Sequence, residues 1–299
     1  MQFFDSHCHF DFAIFDKDRD FIWRECNALG VTHLVIPGVA PEQWLTAAGI
    51  SQHYNNIYFG VGLHPWWVEK RWVEETSVEK RSVEKTWVKK EWVKKEWVEK
   101  GVVKQDVTEN NFAQYLENIR QGLLHNIIQQ NCIAIGECGL DGTIATPMDL
   151  QQQVLDIHLQ LAQKISKPLI IHCRKAHNEL LAQLKRFDLP AGGVIHGFSG
   201  SYELAASYWG MGFCLGIGGT ITYERANKTR TAVKKLPLAA ILLETDAPDM
   251  PLDGKQGERN SPAYIIEIAQ TLADLRGETL NHIATQTTLN SRKLFKIDY

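Results

Sequence analysis

The residues of this chain with the most chemical potential are histidines and carboxylates that close short apolar runs. His7-Cys8-His9 follows the run Gln2–Asp5. Side chains at i and i+2 of an extended segment point the same way, so both imidazoles face one side. Neutral imidazole is a common ligand for zinc and similar ions. The placement recurs along the chain: Glu137 follows Ile133-Ala-Ile-Gly, His172 follows Leu169-Ile-Ile, His196 follows Gly193-Val-Ile, and Asp246 ends Ile241-Leu-Leu-Glu-Thr-Asp. A polar group closing an apolar strand is costly to bury without a partner. Any one of these is accounted for by a hydrogen-bonded core residue; five such strand ends together point to metal.

Four histidines, one glutamate and one aspartate exceed the three or four protein ligands of a typical catalytic zinc site. That count predicts two cations. A dinuclear pair about 3.5–4 Å apart needs a bridge, and a carboxylate offers one oxygen to each ion. Glu137 is the natural bridge, because its strand lies between the two ligand sets. Asp246 is placed to touch a metal and take a proton from the attacking water. The ligand types leave the metal open: imidazoles suit zinc, carboxylate-bearing nuclease sites magnesium or manganese.

Other residues have two readings each. His64 closes the third strand and either contacts a substrate phosphate or leaving group, or is structural. Arg174, beside His172, is either a phosphate clamp or a rim ion pair. Glu244 reads as a partner orienting a ligand. Gly216-Ile-Gly-Gly lacks the spacing of a dinucleotide loop and reads as a tight turn lining the pocket. Asp141 and Arg259 read as loop-stabilising residues.

Eight strands must position these groups: Gln2–Asp5, Thr32–Ile36, Asn56–Val61, Cys132–Gly136, Pro168–Ile171, Gly193–Ile195, Phe213–Leu215 and Ala240–Leu243. Between them lie helix-favouring stretches, Asp18–Leu29, Pro41–Tyr54, Thr108–Gln130, Met148–Lys164, Lys175–Arg186, Ser201–Trp209 and Asn227–Lys235. Strands apolar on both faces, alternating with helices, indicate a covered parallel sheet. Eight such units match an α/β fold of the (β/α)8, TIM-like barrel class, which keeps its active site at the strand C-termini. The alternative is a doubly wound open sheet. Ser261-Pro262 reads as a cap and first helical turn, opening a helix to about Leu275; a last helix runs from about Thr279 to Phe295.

The 299 residues are expected to form one domain, interrupted at about 66–105 by a repeated pentad such as Arg71-Trp-Val-Glu-Glu and Glu91-Trp-Val-Lys-Lys. A five-residue step advances a helix by about 140°, so no clean apolar face results. The segment reads as a charged pentapeptide-repeat insertion after the third strand, on the rim, where it would restrict access for long polymers. A Trp-bearing arm that stacks on single-stranded nucleic acid is the functional alternative. A net charge of −3 excludes a strongly basic nucleic-acid-binding surface over the whole chain. The six cysteines include no C-x-x-C pair, which fits buried thiols in a reduced, cytoplasmic setting. No signal peptide is apparent, and no apolar run approaches the roughly 20 residues of a membrane span.

Taken together, Asp5-Ser-His-Cys-His-Phe, Gly62-Leu-His-Pro, Ile135-Gly-Glu-Cys-Gly-Leu-Asp, Ile171-His-Cys-Arg, Ile195-His-Gly-Phe-Ser-Gly, Glu244-Thr-Asp-Ala-Pro and Arg259-Asn-Ser-Pro-Ala resemble the TatD family of metal-dependent deoxyribonucleases, within the amidohydrolase superfamily. The likeness extends to Asn290-Ser-Arg-Lys-Leu-Phe and is broken only by the pentads. It implies His7, His9, Glu137 and Asp246 around one metal and Glu137, His172 and His196 around the other. The departure from the family is Gly142-Thr-Ile-Ala-Thr after Asp141, in place of an aromatic and basic stretch; it bears on substrate contacts, not on the metals. The expected reaction is hydrolysis of a phosphodiester, with DNA the expected substrate, by a hydroxide bridging two divalent ions. Asp246 would be general base, and His64 or solvent would protonate the leaving oxygen. Two competing readings stand beside it: an ester or amide hydrolase, such as an aminoacyl-tRNA deacylase, and a non-catalytic metal-stabilised scaffold. No obligate protein partner is evident from the residues.

Overall fold

The computed structural model describes residues 1–68 and 109–297. Its strands are β1 (Phe3–Asp5), β2 (Val31–Ile36), β3 (Ile57–Val61), β4 (Cys132–Asp141), β5 (Leu169–Arg174), β6 (Gly193–Ile195), β7 (Phe213–Ile217) and β8 (Ile241–Leu243). They lie in chain order in one sheet, each parallel to the next. The two ends of that sheet meet. The Ser6 backbone N–H donates to the Leu243 carbonyl at 3.0 Å, and its hydroxyl donates to the same oxygen at 2.9 Å. The sheet is therefore a closed (β/α)8 barrel, and the open doubly wound alternative is excluded.

Among the described residues the long helices are α1 (Arg19–Ala28), α2 (Pro41–His53), α3 (Glu109–Asn126), α4 (Met148–Ile165), α5 (His177–Leu184), α6 (Tyr202–Gly210), α7 (Asn227–Lys235), α8 (Ile265–Arg276) and α9 (Leu280–Phe295). Caps set several starts. The Ser201 side chain accepts the Leu204 N–H at the head of α6, and Thr279 accepts that of His282 at the head of α9. Ser261 caps a 3-10 turn, Pro262–Tyr264, so α8 begins at Ile265, later than Ser261-Pro262 predicts. No described helix is long and apolar enough to cross a membrane.

Period-two alternation divides each strand between two cores. Phe4, Val35, Ala134, Ile170, Val194, Cys214 and Leu242 fill the barrel interior, with Tyr58 packed against them. Their neighbours, among them Leu34, Ile135, Ile171, Ile195, Leu215 and Leu243, face the helices. Phe295 of α9 joins the interior cluster, and Thr288 and Asn290 bond the carbonyls of Gln2, Leu238 and Ile241 near the starts of β1 and β8. The last helix thus seals the N-terminal end of the barrel, and the C-terminal end is left for chemistry.

Several boundaries differ from the sequence expectation, and two of them bear on the site. β4 runs on to Asp141, because after a register shift Gly139, Leu140 and Asp141 pair with His172, Cys173 and Arg174. Residues 65–68, which include the first three read as part of the repeat segment, form a helical turn with Val68 buried. The rest of the pentad insertion lies outside the described residues. All six cysteines are unpaired, five of them buried.

Candidate metal centre

Glu137 sits at the middle of the predicted residues. It is almost fully buried at 2% exposure, and its two carboxylate oxygens face different partners. Oε2 lies 3.4 Å from His7 Nε2 and 3.7 Å from His9 Nε2. Oε1 lies 2.8 Å from His196 Nε2, 3.2 Å from His172 Nδ1 and 3.3 Å from His64 Nε2. Asp246 Oδ1 completes the first group, 3.4 Å from His7 Nε2 and 3.5 Å from His9 Nε2. Residues from β1, β3, β4, β5, β6 and β8 thereby converge at one end of the barrel.

Local backbone ties explain this convergence. Asp5, fully buried, accepts the N–H groups of His7 and Thr245 and the Thr245 hydroxyl. It locks the His7-x-His9 turn to the segment after β8. The Asp246 N–H then donates to the His7 carbonyl at 2.9 Å. Asp246 has φ of 57°, a left-handed conformation that Asp tolerates better than most residues. Beside β3, the Leu63 N–H donates to His158 Nε2 at 3.0 Å, and Trp44 Nε1–H donates to the Gly62 carbonyl at 2.9 Å. A Cβ on Gly62 would lie 2.5 Å from the Glu137 carbonyl oxygen, so only glycine lets this strand end reach Glu137.

Hydrogen bonds also fix which ring nitrogens face inward. His172 Nε2–H donates to Asp141 Oδ2 at 3.3 Å, which leaves Nδ1 free to ligate. His64 behaves differently. Its Nδ1 accepts the Trp66 backbone N–H at 3.1 Å, so the neutral ring carries its proton on Nε2. His64, although grouped with Glu137 and His172 in a possible metal triad, therefore points a donor N–H into the centre. That geometry suits an oxygen of the substrate better than a cation.

Electrostatics set the buried imidazoles of His7, His9 and His64 apart from that of His172. Burial lowers His7 to about 4 and His9 and His64 to about 3, keeping these imidazoles neutral. Burial acts to lower His172 too, but Asp141 and Glu137 outweigh it and push it up to about 9. Burial works to raise Glu137, yet His196, His64 and His7 hold it well below the usual carboxylate range. Asp246 is raised, by burial first and then by Glu137 and Glu244. Both ring nitrogens of His7, Nδ1 of His9, Oε2 of Glu137 and Oδ1 of Asp246 are buried without a protein hydrogen-bond partner. Stranded buried polar atoms of this kind are unfavourable, and a cation among His7 Nε2, Glu137 Oε2 and Asp246 Oδ1 would satisfy those three.

The remaining candidates sort out as follows. Glu244 is fully buried, bonds the Gly197 N–H, and has Oε1 3.9 Å from His196 Nδ1, on the side of that ring away from Glu137. Gly216 makes room for it: a Cβ there would meet Glu244 Oε2 at 2.0 Å. Arg174 continues β5 in register with Asp141, and its side chain is exposed. No hydrogen bond or ion pair among the described residues ties it to the cluster. Arg259 holds the Asp18 carboxylate and the Ile14 carbonyl, clamping two rim loops. Asp141 is more than the loop residue its sequence position suggests. Burial acts to raise it, but hydrogen bonds from His172, Thr143 and Trp66 keep it below the normal range, so it stays charged against His172. The missed signal was the one used elsewhere, a polar residue closing a strand, hidden because β4 was read five residues too short.

A closed parallel barrel with a histidine–carboxylate cluster at its C-terminal end is the architecture of a metal-dependent hydrolase. The chain belongs to the TatD-related DNase family, whose pattern it matches over residues 4–296. It is 36% identical over 297 residues to the Escherichia coli K12 metal-dependent hydrolase YjjV, covering 99% of this chain and 98% of that relative. The crystal structure of YjjV superposes with a TM-score of 0.77, at 35% identity and with 99% and 98% of the two chains covered. A Klebsiella pneumoniae relative named the 3'-5' ssDNA/RNA exonuclease TatD is 27% identical over 303 residues, covering 99% and 98%.

Proposed function

We propose that this chain is a phosphodiesterase that removes nucleotides from the ends of single-stranded DNA, with two divalent cations held by the buried cluster. The observation that carries it is the division of Glu137, one oxygen toward His7, His9 and Asp246 and the other toward His172 and His196. His7 Nε2, His9 Nε2, Asp246 Oδ1 and Glu137 Oε2 would hold one ion; Glu137 Oε1, His172 Nδ1 and His196 Nε2 would hold the other. Such a pair supplies Lewis acidity at the phosphoryl oxygens and acidifies a water near neutrality. The ions are zinc, magnesium or manganese by ligand type.

Asp246 takes the proton of the attacking water. His64 directs Nε2–H at an oxygen of the phosphate or the leaving group. Arg174, exposed at the end of β5, adds positive charge where the strand enters. Glu244 stands behind His196 and orients it. The Klebsiella relative's name supports nucleic acid as substrate and the 3' end as the point of attack. We read residues 1–299 as one hydrolase barrel, interrupted at about 66–105.

The test is a panel of single-stranded DNA, aryl phosphodiesters and aminoacyl-tRNA, assayed with added zinc, magnesium or manganese. Release of nucleotides that disappears on chelation and falls at least about 1,000-fold in Asp246→Asn is expected, consistent with loss of a proton acceptor that also touches the metal. Activity confined to the acyl substrate would reject the proposal in favour of an ester hydrolase. An unchanged biological activity in Asp246→Asn would point to a scaffold.

A further inference from the structure

Trp66 is the large rim residue that the metal chemistry leaves unused. Its indole is 49% exposed, yet it is firmly held. Nε1–H donates to Asp141 Oδ2 at 2.8 Å, and the ring sits edge-on to His64 with centroids 5.3 Å apart. Asp141 is fully buried and is itself fixed by the Thr143 N–H and hydroxyl. A rigid apolar face is thus kept in water one ring away from the cluster around Glu137.

Among the described residues, Phe12, Tyr223, Phe21 and Trp209 offer no equivalent surface. Phe12 is stacked on His9, centroids 4.6 Å apart, so one face of its ring is already covered. Tyr223 carries Arg225 over its ring at 4.5 Å and spends its hydroxyl on the Pro251 carbonyl. The exposed Phe21 and Trp209 belong to α1 and α6, in the outer helical layer. Trp66 alone of these combines exposure with a place directly after a strand-end histidine.

Building on the nuclease reading, we propose that the open face of Trp66 is a stacking platform for a nucleobase beside the scissile phosphate of a single-stranded substrate. Two arguments select a base. Every unpaired base has a free π-face, and stacking on an aromatic side chain grips it without regard to sequence. The chain also has a net charge of −3, so phosphate attraction over its whole surface is weak and another source of grip is needed. The Nε1–H bond to Asp141 holds the plane ready, so little order remains to be gained on binding.

Two substrates that differ only in the bases beside the cleaved bond test this: a short single-stranded DNA with all its bases, and the same strand abasic at the two nucleotides flanking that bond. kcat and KM are measured on both for wild type, Trp66→Ala and Trp66→Phe. Trp66→Ala is expected to raise KM for the base-bearing strand about 10-fold, within the range of one lost base stack. Its KM for the abasic strand stays within about twofold of wild type; Trp66→Phe, which keeps a ring but loses the bond that holds it, falls between wild type and Trp66→Ala on the base-bearing strand and within about twofold of wild type on the abasic one. Any effect of the lost N–H that passes through Asp141 to His172 falls on kcat, equally for both variants and both strands. Trp66→Ala raising KM equally on both strands, or on neither, overturns the platform. A wild type that cleaves no single-stranded DNA is a separate result, read before any variant is made: it sinks the nuclease reading and this platform with it.

Discussion

Replacing Glu137 with glutamine tests the centre most directly. The substitution keeps the size and shape of the side chain but removes the charge and turns one oxygen into an amide nitrogen. An ion present at about one hundred times its Kd stabilises the folded state by about 2.7 kcal/mol, and two ions by about 5 kcal/mol. For a chain of this size, with an unfolding entropy of roughly 0.6 kcal/mol/K, each kcal/mol moves Tm by about 1.5–2 °C. The wild type should therefore melt ~8–10 °C higher with saturating metal than after chelation. Glu137 faces both ligand groups, so in Glu137→Gln the metal-induced rise should shrink below ~5 °C, by the same arithmetic. Bound metal measured by elemental analysis should fall in parallel. The chelated variant will also melt lower than chelated wild type, because Glu137 pairs with a His172 pushed up to about 9; removing one partner of a buried pair is costly. The increment on adding metal is the quantity that decides. A variant that keeps the full increment and the wild-type metal content would show that this carboxylate is not the bridge.

Other perturbations probe the supporting structure. Asp141→Asn leaves His172 Nε2–H without a charged acceptor and should weaken metal binding by about 10–100-fold in competition with a chelating dye; an unchanged affinity would reduce Asp141 to a loop residue. Gly216→Ala would drive a methyl to 2.0 Å from Glu244 Oε2 and should cost about 1–3 kcal/mol or more in urea unfolding. Gly218→Ala, whose Cβ has 3.4 Å to its nearest neighbour, is the control, and equal losses would refute the packing argument. Burial lowers His158 to about 4 in the folded state, below its unfolded value near 6.5. The folded protein refuses a proton that the unfolded chain accepts, so this contribution is complete above pH 6.5 and is lost as the pH falls toward 4. Wild type should lose about 3 kcal/mol more between pH 7 and pH 4 than His158→Asn, and parallel pH profiles would exclude the assignment.

The local chemistry of the strands was legible in the residues alone. Apolar runs of three to six residues punctuated by turns fix where strands form, and the polar residue that closes a run fixes what can be offered at its end. His7, His9, His172, His196 and Asp246 were found that way. β4 was cut short because Glu137-Cys-Gly-Leu-Asp does not continue an apolar run; only pairing with β5 reveals it as strand. The pentads have no period that matches a buried face, so pattern reasoning could delimit them and no more.

What the tertiary structure alone decided is how atoms far apart in the chain face one another. Closure rests on Ser6 meeting Leu243, 237 residues away. The same ring brings Asp5 to Thr245 and the two oxygens of Glu137 to opposite groups of imidazoles. The inward turn of His172 Nδ1 follows from Asp141, 31 residues away, a partner that no spacing along the chain encodes, whereas the proton on His64 Nε2 follows from the backbone N–H of Trp66, two residues on. Composition and periodicity act over a few residues through backbone sterics and burial. Which nitrogen and which oxygen meet at the centre is set mostly by contacts between strand ends that only the folded barrel brings together.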